Sequence, residues 1–285
     1  MLLEMAIGDA YGAGFEYVSR GFALSRNNIS EYTQHPRHVG VKAGCYTDDT
    51  QMSISVAELM LSSLGEWNEY LVVEKFLEAF KRDPREGYAK GFYKFLSMVN
   101  SVDGFLSGIR PNSEKSGAAM RAGVIGLYPN VDEVIEKSRL QARITHNTKL
   151  GVQASVVSSL MAHFFKYNLG KKKCLLEYIE DIYFCDWLRS AGKRVGSLGI
   201  ESISASIFAL EKNDSLSSLL RFCIDLGGDT DTVAAISMGA ASLCHEMDKD
   251  IPICLYKNLE NNAFGKDYLI DLDERLNKKF PSQFR

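Results

Sequence analysis

Two short acidic segments carry the residue types that bind hard metal ions. Segment 46–50 (YTDDT) and segment 227–232 (GGDTDT) each contain two aspartates within three residues, beside threonine hydroxyls. Carboxylates that close together repel one another unless a positive charge lies between them. Ions of the Mg²⁺ class prefer such oxygen ligands. If the two segments meet in the fold, they would form a two-metal site of the kind that serves hydrolysis.

Each segment taken alone has a simpler interpretation, because each precedes a helical pattern. Aspartate and threonine are favoured helix N-caps, and acidic side chains suit the first helical turn. A cap needs fewer negative charges than either segment supplies. Taken together, the two segments therefore favour metal binding over capping.

Three further features leave alternatives open. In segment 8–16 (GDAYGAGFE) the glycines permit either close helix packing or a turn. Glu16, which ends that segment, is either an exposed loop residue or a carboxylate turned into a cleft. Segment 116–121 (SGAAMR) is either a tight helix crossing or a helix start that receives a phosphate. His146, preceded by Thr145, is either structural or part of a polar lining.

Helices, which the spacing of apolar residues indicates, must position these segments. Apolar residues repeat at helix spacing in 152–165 and in 216–226, where Gly227-Gly228 stops the helix. Further helices are predicted over 2–13, 50–63, 70–82, 116–127, 131–144, 171–184, 199–211, 231–246 and 265–279. Only 38–43 resembles a strand. We expect one all-α domain over residues 1–285, with long loops near 17–46 and 97–115.

Composition excludes several classes of protein. A net charge of −3 gives no basic surface for a stable nucleic-acid partner. Six scattered cysteines without a CxxC pair argue against a disulfide scaffold or a structural zinc site. No signal peptide and no run of 18 apolar residues is evident, so we expect no membrane span and a cytoplasmic location.

Five segments, in this order, resemble the ADP-ribosylglycohydrolase family: GDAYGAGFE (8–16), YTDDTQMS (46–53), SGAAMRAG (116–123), ITHNT (144–148) and LGGDTDTVA (226–234). The resemblance implies an all-α fold with a compact multi-helix domain. It implies a binuclear magnesium centre, with manganese as an alternative, and the release of ADP-ribose from a modified target. The substrate would be ADP-ribose or an ADP-ribosylated protein, and we expect a monomer.

The resemblance also implies roles for individual residues. One side of the metal site would be Thr47, Asp48 and Asp49, and the other Asp229, Asp231 and Thr232, with Asp231 bridging. Glu16, Asp48 and Asp49 would take part in catalysis. The diphosphate and ribose would lie against Ser113, Lys115, Ser116 and Gly117, and His146 would contact the substrate.

The chain departs from the family before GAAMR, where Glu114 and Lys115 stand in place of a glycine-rich stretch. Segment 81–88 (KRDPREGY) resembles the branch that acts on O-linked serine ADP-ribose slightly more than the arginine branch. Asp83 or Glu86 could instead be the acidic residue of the arginine branch. Two further hypotheses stand beside hydrolysis of ADP-ribosyl bonds: a non-catalytic ADP-ribose-binding relative, and a hydrolase of another nucleotide-linked sugar.

Overall fold

The computed structural model describes residues 1–63, 65–189 and 194–282, and within these ranges the secondary structure is helical. The described chain contains fifteen α-helices: α1 Leu2–Ala13, α2 Arg20–Arg26, α3 Asp48–Ser62, α4 Glu69–Arg82, α5 Lys90–Met98, α6 Val102–Gly108, α7 Gly117–Met120, α8 Val131–Arg143, α9 Lys149–Lys166, α10 Leu175–Ile182, α11 Gly199–Lys212, α12 Leu216–Leu226, α13 Thr230–Ala241, α14 Ile253–Asn258 and α15 Lys266–Lys279. Its β-pairing is confined to isolated bridges. The all-α prediction is confirmed.

Helix boundaries differ from the predictions at two informative places. Helix α3 begins at Asp48 rather than at residue 50, so both of its aspartates lie in the first turn. The predicted helix over 116–127 is wrong, because the chain forms the single turn α7 and then a 3-10 helix at Gly123–Leu127. Gly126 lies so close to α9 that a Cβ there would be 2.3 Å from the Ser159 carbonyl oxygen. The glycines of this segment disfavour a continuous helix.

The loops predicted near 17–46 and 97–115 contain the short helices α2 and α6. Helices α5 and α14 were also not predicted from the sequence. Helices of six to nine residues span too few turns for a helical period to emerge from an apolar pattern.

Helices α1 and α13 cross with their backbones in direct contact. A Cβ on Gly8 would lie 2.5 Å from the Ala234 carbonyl oxygen, and one on Gly12 would lie 2.5 Å from Asp231 Cα. The glycines therefore serve close helix packing, one of the two interpretations that the sequence allowed. Because glycine has no side chain, the two helices approach closely, and the end of α1 lies beside the start of α13.

The turn between α12 and α13 depends on glycine. Gly228 has φ +91°, and a Cβ there would lie 1.8 Å from the Val195 carbonyl oxygen. The Tyr17 N–H donates to the Gly228 carbonyl at 2.8 Å, and the Asp229 N–H donates to the Val195 carbonyl at 3.2 Å. These bonds join the turn to the segment after α1 and fix the direction in which α13 begins.

The core is centred on α9 and α13, which are buried along almost their whole length. Val157, Leu160 and Val233 are among their fully buried side chains. Helix α8 packs against α9, and α4 and α15 pack against α3. All three keep polar residues outside. Within the described ranges, no helix combines the length and the apolar character needed to cross a membrane.

Candidate functional site

A cavity of about 810 Å³ opens where α3 and α13 begin and where α1 has just ended. This volume is typical of small-molecule sites. Eleven sequence-predicted site residues line it: Glu16, Asp48, Asp49, Ser113, Lys115, Ser116, Gly117, His146, Asp229, Asp231 and Thr232. Thr47 is buried and is not among the lining residues. The fold thus brings both acidic segments and segment 113–117 into one cavity.

Three carboxylates converge on one point of this cavity. Glu16, Asp229 and Asp231 each offer an oxygen atom, and these atoms lie within 4.8 Å of one another. Asp229 is the N-cap of α13 and Asp231 lies in its first turn. Of the two interpretations of Glu16, the structure therefore favours a carboxylate in the cleft. The cluster has the composition and spacing to hold a divalent cation.

The first turn of α3 supplies the opposite acidic group. Asp48 and Asp49 are both buried. Thr47 Oγ1 lies 3.3 Å from Asp49 Oδ2 and accepts from the Asp49 N–H at 3.4 Å. Thr232 of the other acidic segment lies close enough to the Asp49 carboxylate to offset part of the rise in its pKa. Asp49 Oδ1 is buried and accepts no hydrogen bond from any described residue. An unpartnered buried oxygen is costly, so a cation ligand suits this position.

Asp9, to which the sequence analysis gave no role, holds the start of α3. Its carboxylate accepts from the N–H and Oγ1 of Thr47 at 3.0 and 2.8 Å, and from the same two groups of Thr50 at 3.0 and 2.6 Å. Asp9 is completely buried. One indication was present in the sequence, because Asp9 interrupts the apolar pattern of α1, and a buried carboxylate needs partners.

The acidic groups are electrostatically unfavourable by themselves. Burial raises the pKa of Asp48, Asp49 and Asp231 well above its usual value, and the neighbouring carboxylates raise it further. Burial and the charge of Asp229 raise the pKa of Glu16 to about 7. The ion pairs formed among the described residues include none of the four aspartates. A divalent cation would relieve this repulsion.

The donor set fits such a cation. The lining atoms at this end of the cavity are carboxylate and hydroxyl oxygens, which Mg²⁺ and Mn²⁺ prefer over softer donors. Asp49 Oδ1 is free to bind, and Glu16, Asp229 and Asp231 already share a small volume. The cluster can therefore hold metal without rearrangement of the helices.

Segment 113–117 forms one wall of the cavity, but it is not the helix start with free N–H groups that the sequence offered as one interpretation. The Ser116 N–H donates to the Ser197 carbonyl at 3.1 Å, and the Lys115 N–H donates to Ser113 Oγ at 3.2 Å. The Ser116 side chain lies close enough to the Asp229 carboxylate to offset part of the rise in its pKa that burial causes. Two of the segment's N–H groups are thus engaged within the protein, and α7 is only one turn long. The dipole of a long helix is therefore not available to a phosphate here.

His146 lies in the turn after α8 and is buried at the cavity wall. Burial lowers the pKa of His146 to about 3, so the ring is neutral. Its Nδ1 lies 2.7 Å from Thr145 Oγ1, which also accepts a hydrogen bond from Arg121 Nη2 at 2.8 Å. His146 Nε2 has no hydrogen-bond partner among the described residues. Arg121 was not predicted as a site residue from the sequence.

Asp83 and Glu86, the two acidic residues considered in segment 81–88, do not line the cavity. Asp83 Oδ2 accepts from Arg85 Nε and Nη2 at 2.8 and 2.6 Å, so its carboxylate is engaged in an ion pair. Glu86 contributes its main-chain carbonyl, which accepts from the Asp48 N–H at 3.2 Å. Their segment gives the cavity Tyr88 instead.

An aromatic wall, also missed from the sequence, completes the cavity. Phe92 and Phe95 lie on α5 with ring centroids 6.4 Å apart, and Tyr17, Tyr88 and Ile109 line the cavity with them. This wall was missed because α5 itself was not predicted. Apolar and aromatic side chains beside a few polar groups are typical of sites for planar organic ligands.

Comparison with known proteins agrees with this architecture. The family model described as ADP-ribosylglycohydrolase matches residues 1–284. ADP-ribosylhydrolase ARH3 of Xenopus tropicalis is 25% identical, over 98% of this chain and 94% of the relative. ADP-ribosyl-[dinitrogen reductase] glycohydrolase of Rhodospirillum rubrum is 24% identical, over 88% of this chain and 85% of the relative. A solved structure titled ADP-ribosylglycohydrolase-related protein complex superimposes with TM-score 0.74 at 21% identity, covering 97% of this chain and 95% of its own, and shares the fold.

Proposed function

The chain belongs to the ADP-ribosylglycohydrolase family, and from this premise we propose that it hydrolyses the glycosidic bond between ADP-ribose and a modified acceptor, with divalent cations bound. The observation that carries the proposal is the convergence of Glu16, Asp229 and Asp231 in a cavity that also contains Asp48 and Asp49. Two relatives carry the names of an ADP-ribosylhydrolase and an ADP-ribosyl glycohydrolase.

The proposed cofactor is a pair of Mg²⁺ ions, with Mn²⁺ as the alternative. The proposed ligands are the residues of the two acidic segments: Thr47, Asp48, Asp49, Asp229, Asp231 and Thr232. Thr47 Oγ1 gives its hydrogen to Asp9 at 2.8 Å, which leaves a lone pair of that oxygen for a cation. When bound, the ions supply Lewis acidity and a template for the ribose hydroxyls.

The side chains of the acidic cluster serve the bond-breaking step. We assign Glu16 to accept a proton from the attacking water, whose oxygen bonds the anomeric carbon as the bond to the acceptor breaks. The acceptor atom leaves with the bonding electrons and takes up a proton from solvent water, and Glu16 then releases the proton that it accepted to solvent. Positive charge develops on the sugar in such reactions, and the carboxylates of Asp48 and Asp49 are suited to stabilise it.

The rest of the nucleotide occupies the opposite wall in this proposal. Ser113, Lys115, Ser116, Gly117 and His146 line the cavity beside the acidic cluster. Anchoring the diphosphate and ribose there would hold the reacting carbon over the carboxylates, and fixed geometry of this kind accelerates a reaction. The aromatic wall is the natural place for the adenine ring.

An O-linked acceptor, such as ADP-ribosylserine, is favoured slightly over N-linked arginine. A guanidinium acceptor calls for an additional carboxylate at the cavity mouth. Asp83 is already paired with Arg85, and the Glu86 side chain does not line the cavity. Both observations support the O-linked alternative.

Two other hypotheses are separated by direct assay. A non-catalytic ADP-ribose-binding relative would be expected to have lost a carboxylate of the acidic cluster, but Asp48, Asp49, Asp229 and Asp231 are all present. A hydrolase of another nucleotide-linked sugar would use the same cluster and differ in the shape of the cavity.

The decisive experiment offers the purified protein arginine-, serine- and acid-linked ADP-ribose, each with Mg²⁺, with Mn²⁺ and with a chelator. We expect release of ADP-ribose that depends on the metal and is fastest from the serine linkage. Binding of ADP-ribose without release from any linkage would support the non-catalytic hypothesis instead. The monomeric state and the cytoplasmic location stay predictions, which gel filtration and cell fractionation test.

A further inference from the structure

Arg121 is a buried cation at the cavity wall, and it is 1% exposed. Its guanidinium lies over the Phe76 ring, 4.6 Å from the centroid. It donates from Nε to Gln141 Oε1 at 2.5 Å and from Nη2 to Thr145 Oγ1 at 2.8 Å. No ion pair among the described residues includes it. A guanidinium can only donate, so the direction of each of these hydrogen bonds is fixed.

The direction of the hydrogen bond between Thr145 and His146 follows from that of the bond between Arg121 and Thr145. The Thr145 hydroxyl accepts from Arg121 and has a single hydrogen to donate. The remaining polar neighbour of Thr145 Oγ1 is His146 Nδ1 at 2.7 Å. If Nδ1 carried a proton, the buried hydroxyl hydrogen of Thr145 would have no acceptor, which is costly. Nδ1 therefore accepts, and the proton of the neutral ring lies on Nε2.

The far end of this chain of hydrogen bonds is anchored as well. Gln141 Nε2 donates to the Ala118 carbonyl at 2.9 Å and to Ser155 Oγ at 2.6 Å. The amide of Gln141 can satisfy both acceptors only with its oxygen turned towards Arg121. The network from Gln141 through Arg121 and Thr145 to His146 thus has one consistent set of donors and acceptors.

The Nε2 edge of His146 is left open by a glycine. A Cβ on Gly117 would lie 3.1 Å from His146 Cε1 and 3.3 Å from Nε2. On the other side of the residue, a Cβ on Gly151 would lie 2.8 Å from His146 Cβ. His146 thus lies between Gly117 and Gly151, neither of which has a side chain to cover it. Its buried Nε2 has no partner among the described residues, and His146 lines the cavity.

We propose that Arg121 and Thr145 are positioning residues that hold His146 in the Nε2–H tautomer, so that the ring is a permanent hydrogen-bond donor to a diphosphate oxygen of the bound nucleotide. The use of this donor rests on the proposed function, whereas the tautomer does not. An N–H at Nε2 can donate but cannot accept, and the charged diphosphate oxygens are the strongest acceptors that the nucleotide offers it. Burial lowers the pKa of Arg121 to about 9, so its charge is retained at neutral pH.

The tautomer is measured by long-range ¹H–¹⁵N correlation of the imidazole rings in the folded protein at neutral pH. Five histidines make the spectrum assignable, with His146→Gln identifying the resonance of interest. We expect His146 to show one protonated nitrogen, Nε2, and one unprotonated nitrogen, Nδ1. An Nδ1–H tautomer or a doubly protonated ring in the wild-type protein would overturn the proposal.

Variants test the positioning role. Thr145→Val keeps the shape but removes the hydroxyl, so we expect a mixture of tautomers and roughly tenfold weaker binding of ADP-ribose. Thr145→Ser keeps the hydroxyl and is expected to restore both the single tautomer and most of the affinity. A His146 spectrum that stays unchanged in Thr145→Val would contradict the role of Thr145 and Arg121.

Gly117→Ala serves as the matched variant on the opposite side of the ring. Its methyl group crowds Nε2 without touching the Thr145 hydrogen bond, so we expect weaker ADP-ribose binding with an unchanged tautomer. Unchanged affinity in this variant would show that Nε2 does not meet the ligand. If the wild-type tautomer is as inferred but no variant binds ADP-ribose and neither does the wild type, the proposed function fails and the tautomer assignment stands.

Discussion

The two ends of the cavity differ in how their polar groups are satisfied. At the acidic end, five carboxylates from three segments lie close together, and Asp49 Oδ1 has no partner among the described residues. At the other end, Gln141, Arg121 and Thr145 form hydrogen bonds of a single consistent direction. The four aspartates of the first end and the three side chains of the second are buried. The second network satisfies the hydrogen bonds between its members within the protein and leaves His146 Nε2 open, whereas the first needs an added positive charge.

This difference separates two kinds of preorganisation. The Arg121 network fixes the proton position of one ring without any ligand. The acidic cluster instead keeps like charges together at a cost in folding stability, and a cation would recover that cost on binding. Stability and function should therefore change in opposite directions when one of the five clustered carboxylates is neutralised, and in the same direction when a member of the Arg121 network is removed.

The largest effect is expected for Asp231→Asn. We expect turnover to fall by roughly a thousandfold, because a ligand shared within the metal site is lost. We also expect the metal-free protein to become more stable by about 1 kcal/mol, because one of several mutually repelling carboxylates is neutralised. Activity assays and thermal unfolding in chelator measure the two effects.

Wild-type protein provides the control for this variant. Mg²⁺ at about 100 times its Kd should stabilise the wild type by roughly 2.7 kcal/mol, whereas Asp231→Asn should lose most of that increment. A variant that keeps near-normal metal-stimulated turnover, or that is less stable than the wild type in chelator, would remove the contrast between the two ends.

A loss of roughly a hundredfold in turnover is expected for Glu16→Ala, because a proton acceptor close to the sugar is removed. Metal affinity, measured by titration calorimetry, should change less than turnover. Glu16 lies within 4.8 Å of the oxygens of Asp229 and Asp231, so an equal fall in metal affinity would identify it as a ligand rather than a base.

Asp9→Asn tests the support of the acidic end. The amide would place its NH₂ group either at the Oδ1 position, against the Thr47 hydroxyl, or at the Oδ2 position, against both N–H groups and the Thr50 hydroxyl. We expect a loss of about 2–4 kcal/mol in unfolding free energy, measured by denaturant titration, together with weaker metal binding. Full stability in this variant would mean that α3 holds its start without Asp9.

The smallest effect is expected for Lys115→Ala. Lys115 is exposed at the cavity rim and forms no ion pair with a described residue, so its attraction to a diphosphate is screened. ADP-ribose affinity should fall by roughly threefold, and by less as salt is raised. A loss larger than that of Thr145→Val would place the main diphosphate contact at Lys115 rather than at His146.

The sequence predicted those parts of the molecule that depend on local pattern. The helices α1, α4, α8, α9, α11, α12 and α15 follow from apolar periodicity, and both acidic segments are recognisable because aspartates cluster there. The sequence did not reveal the aromatic wall on α5, a helix too short to show a period. It also did not reveal the Arg121 network, whose members come from α7, α8 and the turns beside them.

The contact between α1 and α13 sets a spacing that no rotamer can alter. Gly8 and Gly12 lie against main-chain atoms of α13, and the same helix α1 carries Asp9, which anchors α3. Helix α1 therefore positions the main chain of both acidic segments, the one at the start of α3 and the one at the start of α13. Thermal motion of side chains leaves those main-chain positions unchanged, so the cluster should keep its dimensions whether or not an ion is bound.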